Sequence, residues 1–297
     1  MDKQDMNKGI MLGILAYIIW GLLPLYWKAL DNVGSDVVFA QRIIWSFVFI
    51  FLFILLTNRM KPFLSELKRI FNHKKILFSI IIASLVIGVN WLVFIWAVQH
   101  NYVVQVSLGY YINPLMSVLF GVILLKERLS GMQQLSVLLA FVGVLYLTMT
   151  YKVFPWVSLI LAISFAIYGL FKKIANLNST FSLMIETAIL TPAALIYLLY
   201  QFGGSLGFVT STATNALLLS TGIASAVPLL LFGVAVLHMP LSLTGFLQYI
   251  APTIMLFIGV ILYKEPFTIN HLVTFLLIWT SIIIYISSTF KRQKAEG

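Results

Sequence analysis

Two stretches of this sequence resemble each other closely: YINPLMSVLFGVILLKE at residues 111–127 and YIAPTIMLFIGVILYKE at residues 249–265. They align at a constant shift of 138 residues, and the match extends without a gap over residues 90–127 and 228–265. Unrelated apolar helices often share Leu and Ile by chance, but they rarely share Pro, Gly, Lys and Glu in one register. The register therefore indicates an internal duplication.

The composition of the whole chain places both copies in a membrane. Of the 297 residues, 61% are hydrophobic and only 9% are charged, whereas soluble domains average about 45–50% apolar and 25% charged residues. Such a chain cannot cover its surface with polar groups, so the bilayer must be its solvent. The absence of cysteine excludes disulfides, thiolate metal sites and cysteine nucleophiles.

Hydropathy divides the chain into ten candidate membrane spans. A spanning helix needs about 20 mostly apolar residues. The predicted spans are residues 9–27, 37–57, 76–98, 103–125, 132–150, 154–171, 181–200, 216–237, 241–263 and 271–290. Of the longer connections, residues 58–75 are basic and predict an amphipathic turn or two at the interface, while residues 201–215 predict a flexible loop rich in Gly, Ser and Thr.

The basic residues predict the orientation of these spans. When both termini are placed in the cytoplasm, Lys28, Lys152 and Lys264 fall outside and Arg42 lies within a span, which leaves 15 of the 19 basic residues inside. Positive charge concentrates in cytoplasmic loops, so both termini are predicted to be cytoplasmic. Because the charges occupy short gaps between spans, the net charge of +10 is not interpreted as a nucleic-acid surface.

The duplication predicts two halves, residues 1–151 and 152–297, with five helices each. Trp20-Gly21 also resembles Tyr168-Gly169, and Arg42 aligns with Glu186 at a shift of 144. An odd number of helices per copy forces the second copy to enter the membrane upside down. Inverted repeats are typical of secondary transporters, whose substrate site lies near mid-membrane between the repeats.

Several of these motifs resemble a known family. The paired Pro…Gly…Lys-Glu helix ends and the Trp-Gly first helix are similar to the EamA branch of the drug/metabolite transporter superfamily. Gln41-Arg42-Ile-Ile-Trp45-Ser46, Gly-Val-Asn90-Trp91 and Gly-Tyr-Tyr-Ile-Asn-Pro114 resemble its RarD subgroup, which is named for a chloramphenicol-sensitivity phenotype. The resemblance covers the whole chain. It implies an all-α protein of the bacterial plasma (inner) membrane, with ten helices in two inverted repeats. Such a protein carries, and most typically exports, a small metabolite or drug, in some members an amino acid.

Arg42 and Glu186 are the charged residues that fall inside predicted spans. Charge at mid-membrane costs roughly 2.5–3.5 kcal/mol on insertion scales, so a functional role and a structural role both remain open for them. Their depths in the second and seventh spans differ by more than about 10 Å, so they are not expected to pair. The expected neighbours are Asp31, Asp36 or Glu265 for Arg42, and Lys172, Lys173 or Arg128 for Glu186.

Pro114 and Pro252 occupy matching positions within the fourth and ninth spans and are hinge candidates. Each lacks an N–H and frees the carbonyl four residues earlier, at Tyr110 and Gln248. In lipid such a carbonyl must find another partner or line a watered cavity. The alternative role of each proline is a packing kink.

Aromatic residues and amides cluster around these prolines and predict a cavity. Such walls suit a neutral, zwitterionic or aromatic solute, although each residue alone could equally serve helix packing. The halves are chemically unequal, since Pro228 replaces Asn90 and Gln248 replaces Tyr110. The cavity candidates are Tyr17, Trp20, Arg42, Asn90, Trp91, Phe94, Tyr110, Tyr111, Asn113, Ser117, Tyr168, Glu186, Gln248 and Tyr249.

Three other classes of function are weaker explanations of the sequence. An intramembrane enzyme acting on a lipid needs an acid/base pair or a metal cluster at one depth, and no such pair, metal site or cofactor site is predicted. The sequence predicts no output domain for a non-transporting sensor or scaffold. It also predicts no rings of charge or filter motifs for a channel. The predicted partners are a small-molecule substrate and the lipid bilayer, while the oligomeric state stays open.

Overall fold

A computed structural model describes residues 3–100, 102–151, 154–208, 211–264 and 267–296, and these residues are helical with short connections. The helices are α1 (Lys3–Lys28), α2 (Ser35–Leu56), α3 (Met60–Asn72), α4 (Lys74–Gln99), α5 (Val103–Ile123), α6 (Gly131–Tyr151), α7 (Trp156–Ala175), α8 (Ser179–Gln201), α9 (Thr212–His238), α10 (Leu241–Leu247), α11 (Ile250–Phe257) and α12 (Ile269–Glu296), with a π-helical turn at Ile258–Leu262 after α11.

Ten helical segments of the described chain are long and apolar enough to cross a membrane. They coincide with the ten predicted spans, so the all-α membrane class is confirmed. The ninth span combines α10, α11 and the π-helical turn, over Leu241–Leu262. The division into inverted halves at residue 151 stays a prediction.

The basic segment predicted to be amphipathic, residues 58–75, contains the additional helix α3. Phe63 and Ile70 are buried and Leu67 is partly buried, while Lys68 and Arg69 are exposed. Phe63 packs against Phe181 of α8, with ring centroids 5.6 Å apart. The predicted amphipathic helix is thus confirmed, and its apolar side holds it against the bundle.

Helices of the first half pack mainly on helices of the second. α1 and α2 pack on α9, α4 and α5 pack on α7, and α6 packs on α12. Close approach requires small residues at such crossings: Gly222 of α9 lies directly against the backbone of Trp45 in α2. At the start of α7, Gln105 Oε1 of α5 accepts from Val157 N at 3.0 Å. The ten spans therefore form one interleaved bundle.

The ninth span is not one continuous helix, and its interruption lies at the predicted hinge candidate Pro252. Pro252 has no N–H to donate to the Gln248 carbonyl, so the α-helical pattern breaks between α10 and α11. Tighter bonds replace it: Ala251 N donates to Gln248 O at 3.2 Å, and Tyr249 N donates to Phe246 O at 3.3 Å. The freed carbonyl thus has a partner.

The matching proline of the first half has a different outcome. Pro114 lies inside α5, which continues unbroken to Ile123. Its carbonyl faces α10, where a Cβ on Gly245 would lie 2.7 Å from Pro114 O and 2.8 Å from Ser117 Cβ. The two halves therefore use their paired prolines differently: one sits in a continuous helix, and the other marks a break.

Candidate functional site

Arg42 lies about 10 Å along α2 from its first residue, at 1.5 Å per residue, and is partly buried. Its guanidinium carbon is 4.6 Å from the ring centroid of Trp91 in α4 and 5.4 Å from that of Trp27 in α1. Its Nε is shielded from solvent and has no hydrogen-bond partner. Arg42 is thus held between two indole rings.

This environment compensates the charge of Arg42 only in part. A cation–π contact contributes about 0.5–2 kcal/mol, whereas burial of an ion costs several kcal/mol. Among the described residues, ion pairs join Arg69 to Glu66, Lys172 to Glu186 and Lys173 to Glu127, and none involves Arg42. The guanidinium therefore retains unused capacity to bind an anion.

Two of the three acidic neighbours expected for Arg42 form no ion pair with it. Asp36 instead accepts a hydrogen bond from the Tyr197 hydroxyl of α8, because it lies six residues before Arg42 and so projects from another side of α2. Asp31 is exposed after the end of α1 and forms no ion pair with Arg42. The third expected neighbour, Glu265, lies outside the described residues, so an acidic neighbour for Arg42 stays a prediction.

Glu186 has the opposite environment, with every carboxylate oxygen bonded. Lys172 Nζ lies 2.8 Å from Glu186 Oε1, Ser182 Oγ donates to the same oxygen at 2.6 Å, and the Tyr168 hydroxyl donates to Oε2 at 2.8 Å. Lys172 and Glu186 are 4% and 2% exposed. The predicted contact between Glu186 and Lys172 is confirmed.

An aromatic cluster joins α1, α7 and α9. Trp20 and Phe165 are partly buried, whereas Tyr17, Tyr168 and Phe232 are fully buried. Phe232 contacts Trp20 at 5.6 Å and stacks on Tyr168 at 6.0 Å between ring centroids. The Tyr17 hydroxyl donates to Thr244 O of α10 at 3.0 Å. The structure thus brings together three predicted residues from the paired first helices of the two halves.

The residues predicted on α4 divide between the Arg42 site and helix packing. Trp91 faces Arg42, and Phe94 contacts Tyr110 of α5 with centroids 6.5 Å apart. Asn90 Nδ2 donates to Leu161 O and to Ser164 Oγ, both at 2.8 Å. Asn90 therefore joins α4 to α7.

The remaining candidates lie in the contact between α5 and the ninth span. Asn113 and Ser117 are buried, and Asn113 Oδ1 has no hydrogen-bond partner in the described part of the chain. Gln248 is buried at the break between α10 and α11. Tyr249 donates to Tyr111 O at 3.2 Å, and both belong to a packing cluster with α6 and α12. The structure does not bring these two tyrosines to Arg42.

At the end of the bundle that carries both termini, a carboxylate in the connection after α5 bonds to the first two residues of α10. Glu127 Oε1 accepts from Leu241 N at 2.6 Å and Oε2 accepts from Ser242 N at 2.9 Å. Lys173 Nζ lies 3.9 Å from Glu127 Oε1 and also donates to Met239 O. We call this group of contacts the Glu127 clasp.

Sequence reasoning missed several of these residues. Trp27 ends the first predicted span, a position typical of interfacial anchors. Lys172 lies four residues after Tyr168 on the same helix face, a spacing that agrees with its predicted contact to Glu186. Phe165 and Phe232 were indistinguishable in sequence from ordinary packing residues.

Neither of two surface grooves is lined by the residues of this site. A groove of about 310 Å³, lined by Ile254, Phe257, Ile258, Ile261 and Leu262, lies on the outside of the ninth span. A smaller one near Asn270 and His271 lies beside the start of α12. Within the described residues, no three His, Asp or Glu side chains are grouped to hold a metal ion.

Comparison with known proteins gives concordant results. Residues 7–149 match the EamA-like transporter family. The chain is 41% identical to "Uncharacterized transporter YojE" of Bacillus subtilis (strain 168), covering 100% of this chain and 99% of the relative. It is 37% identical to "Protein RarD" of Escherichia coli (strain K12), covering 99% of each. A protein of known crystal structure shares the fold, with a TM-score of 0.71 at 14% identity over 93% of this chain and 96% of that one.

Proposed function

This chain belongs to the EamA-like transporter family, and from that premise we propose that it is a secondary carrier that exports a small metabolite or drug. The chain is a multi-pass membrane transporter of the drug/metabolite superfamily. We propose in addition that it works by alternating access about a central site between two inverted halves, and that its substrate has amino-acid-like or aromatic character.

The observation that carries the mechanism is the Glu127 clasp. It holds α5 to α10 through two N–H bonds to one carboxylate and the nearby Lys173. Such polar contacts can be exchanged for water without unfolding either helix, whereas interlocked apolar packing cannot. The clasp thus fits a closure that opens during transport, at the segments that the duplication relates.

The aromatic cluster supports a central site for the substrate. Trp20 and Phe165 retain accessible surface at mid-bundle, and Tyr17 and Tyr168 are buried beneath them. Aromatic walls recognise planar and apolar solutes. We place both termini in the cytoplasm of a bacterial cell, which puts the clasp on the cytoplasmic side.

An intramembrane enzyme is disfavoured by the arrangement of charges. Glu186 is engaged by Lys172, Ser182 and Tyr168, so it offers no unoccupied oxygen to act as a base. Arg42 carries no adjacent acid in the described chain. The relatives named as transporters agree with a function that is not enzymatic.

The proposal is tested by counterflow in liposomes that contain the purified protein. The panel is aromatic, aliphatic and charged amino acids together with chloramphenicol, each labelled, with protein-free liposomes as the control. We expect saturable exchange of one class of solute. Protein shown to be folded that exchanges no member would contradict the proposed substrate character, and non-saturable flux would favour a channel.

A further inference from the structure

Arg42 and Glu186 occupy positions that align in the two halves, but they differ in the partners that surround their charges. Glu186 receives Lys172, Ser182 and Tyr168 as partners. Among the described residues, no ion pair gives Arg42 a corresponding counter-charge.

The described surroundings of Arg42 provide aromatic ring faces and no hydrogen-bond acceptor for its Nε. The rings of Trp27 and Trp91 lie 5.4 and 4.6 Å from the guanidinium carbon, and a ring face attracts a cation without accepting its in-plane N–H bonds as an oxygen would. Nε is buried without a partner. Among the described residues, no hydrogen bond or ion pair engages the guanidinium.

We infer that Arg42 binds the carboxylate of the transported solute, and that the solutes of this carrier are small organic carboxylates with an apolar or aromatic body. This inference rests on the proposed carrier function and names its substrate class. A guanidinium presents a planar fork of donors that matches a carboxylate in a bidentate pair, and the indole rings strengthen that pair by excluding water.

The length of the solute follows from the spacing of aromatic residues on α1. Trp27 and Trp20 are seven residues apart, about two turns, so they lie on one face and about 10 Å apart along the axis. A carboxylate at Arg42 therefore lies above the cluster of Trp20, Phe165 and Phe232. An arylpropanoate spans most of this distance, so its ring can reach the cluster.

The charge pattern also distinguishes carboxylates from zwitterions. No carboxylate of the described chain contacts the Arg42 site to receive an ammonium group, because Asp36 is bonded to Tyr197 and Glu186 to Lys172. We therefore expect an aryl carboxylate to bind at least as well as the corresponding amino acid.

The test measures binding of 3-phenylpropanoate, its neutral analogue 3-phenylpropanamide, and phenylalanine to the purified full chain in detergent. Calorimetry gives the dissociation constants, and the intrinsic tryptophan fluorescence, to which Trp27 and Trp91 contribute, provides a second readout. We expect the amide to bind about tenfold or more weakly than the carboxylate, because bonds to a charged group are being lost. Equal binding of amide and carboxylate to the wild type would overturn the inference without any variant.

Three variants refine the test. Arg42→Gln should abolish the preference for carboxylate over amide, Arg42→Lys should keep part of it, and Arg69→Gln on the exposed face of α3 should leave it intact. Size-exclusion chromatography confirms that each variant is folded. A preference that survives in Arg42→Gln refutes the assignment of Arg42.

The outcomes separate this inference from the proposed function. Saturable counterflow that does not distinguish carboxylate from amide leaves a carrier but overturns the carboxylate site. Arg42-dependent binding of the carboxylate without any counterflow leaves the site but contradicts the carrier. Failure of folded wild-type protein to bind either carboxylate overturns the inference directly.

Discussion

Lys172 Nζ lies 2.8 Å from Glu186 Oε1, and both side chains are almost completely buried within the membrane-spanning bundle. The pair joins α7 to α8 at the level of Tyr168, whose ring packs on the central aromatic cluster. Through Tyr168, the charge pair thus contacts the aromatic cluster that we propose as the substrate site.

Removal of one member of this pair should destabilise the protein strongly. Lys172→Met leaves Glu186 buried without a counterion, which costs about 3–5 kcal/mol in comparable buried pairs. We expect a marked fall in the thermal unfolding temperature in detergent. The double variant Lys172→Met with Glu186→Gln should recover part of the loss, because the lone charge is gone; Lys75→Met at the exposed start of α4 is the control. Additive losses in the double variant would show that the two charges are independent.

The Glu127 clasp should control access to the interior from the end that carries the termini. Glu127→Gln removes the charge and one acceptor from the bonds to Leu241 and Ser242, each worth about 1.5–3 kcal/mol to a charged group. Because the natural chain contains no cysteine, Ser117→Cys supplies a single reporter behind the clasp.

With that reporter, a hydrophilic maleimide should label Ser117→Cys about tenfold or more faster when Glu127→Gln is also present. The matched control is Glu66→Gln, which removes a carboxylate from α3 without touching α5 or α10. Equal labelling rates with and without Glu127→Gln would mean that the clasp does not hold this end closed.

The two prolines should differ in their effect on transport. Pro252→Ala restores the N–H that lets the break between α10 and α11 close into one helix, whereas Pro114→Ala changes a helix that is already continuous. We expect both variants to slow counterflow and Pro252→Ala to slow it more. The measurement is the exchange rate at equal protein density in liposomes, and wild-type rates in both variants would exclude a hinge role.

Gly245 should tolerate no side chain, because α5 approaches it closely. An added Cβ would meet Pro114 O at 2.7 Å and Ser117 Cβ at 2.8 Å, so Gly245→Ala must push α10 away from α5, at a cost of about 1–3 kcal/mol. We expect a lower unfolding temperature for it. Gly131→Ala is the matched control, since an added Cβ there meets nothing within 4 Å. Equal stability of both variants would show that the α5–α10 contact adapts freely.

Much of the fold could be predicted from the sequence because membrane spans are specified by length and hydropathy alone. The ten spans and the amphipathic α3 follow from apolar runs and their spacing. Lys172 was also predicted as a neighbour of Glu186, since a buried carboxylate needs a cation and few cations lie at that depth. The positions of helix breaks are harder to predict from sequence. Matching prolines at 114 and 252 predict equal kinks, but in the packed bundle only the helix at Pro252 is interrupted.

The sequence by itself determined that this protein is a membrane-embedded helical bundle, because the cost of exposing polar backbone or charge to lipid leaves few alternatives. Only the tertiary structure decided which side chains meet. It places Trp27 against Arg42 and leaves Asp36 to Tyr197, since these contacts depend on how each helix is rotated about its axis. That rotation is set by packing between segments far apart in the chain, which hydropathy does not encode.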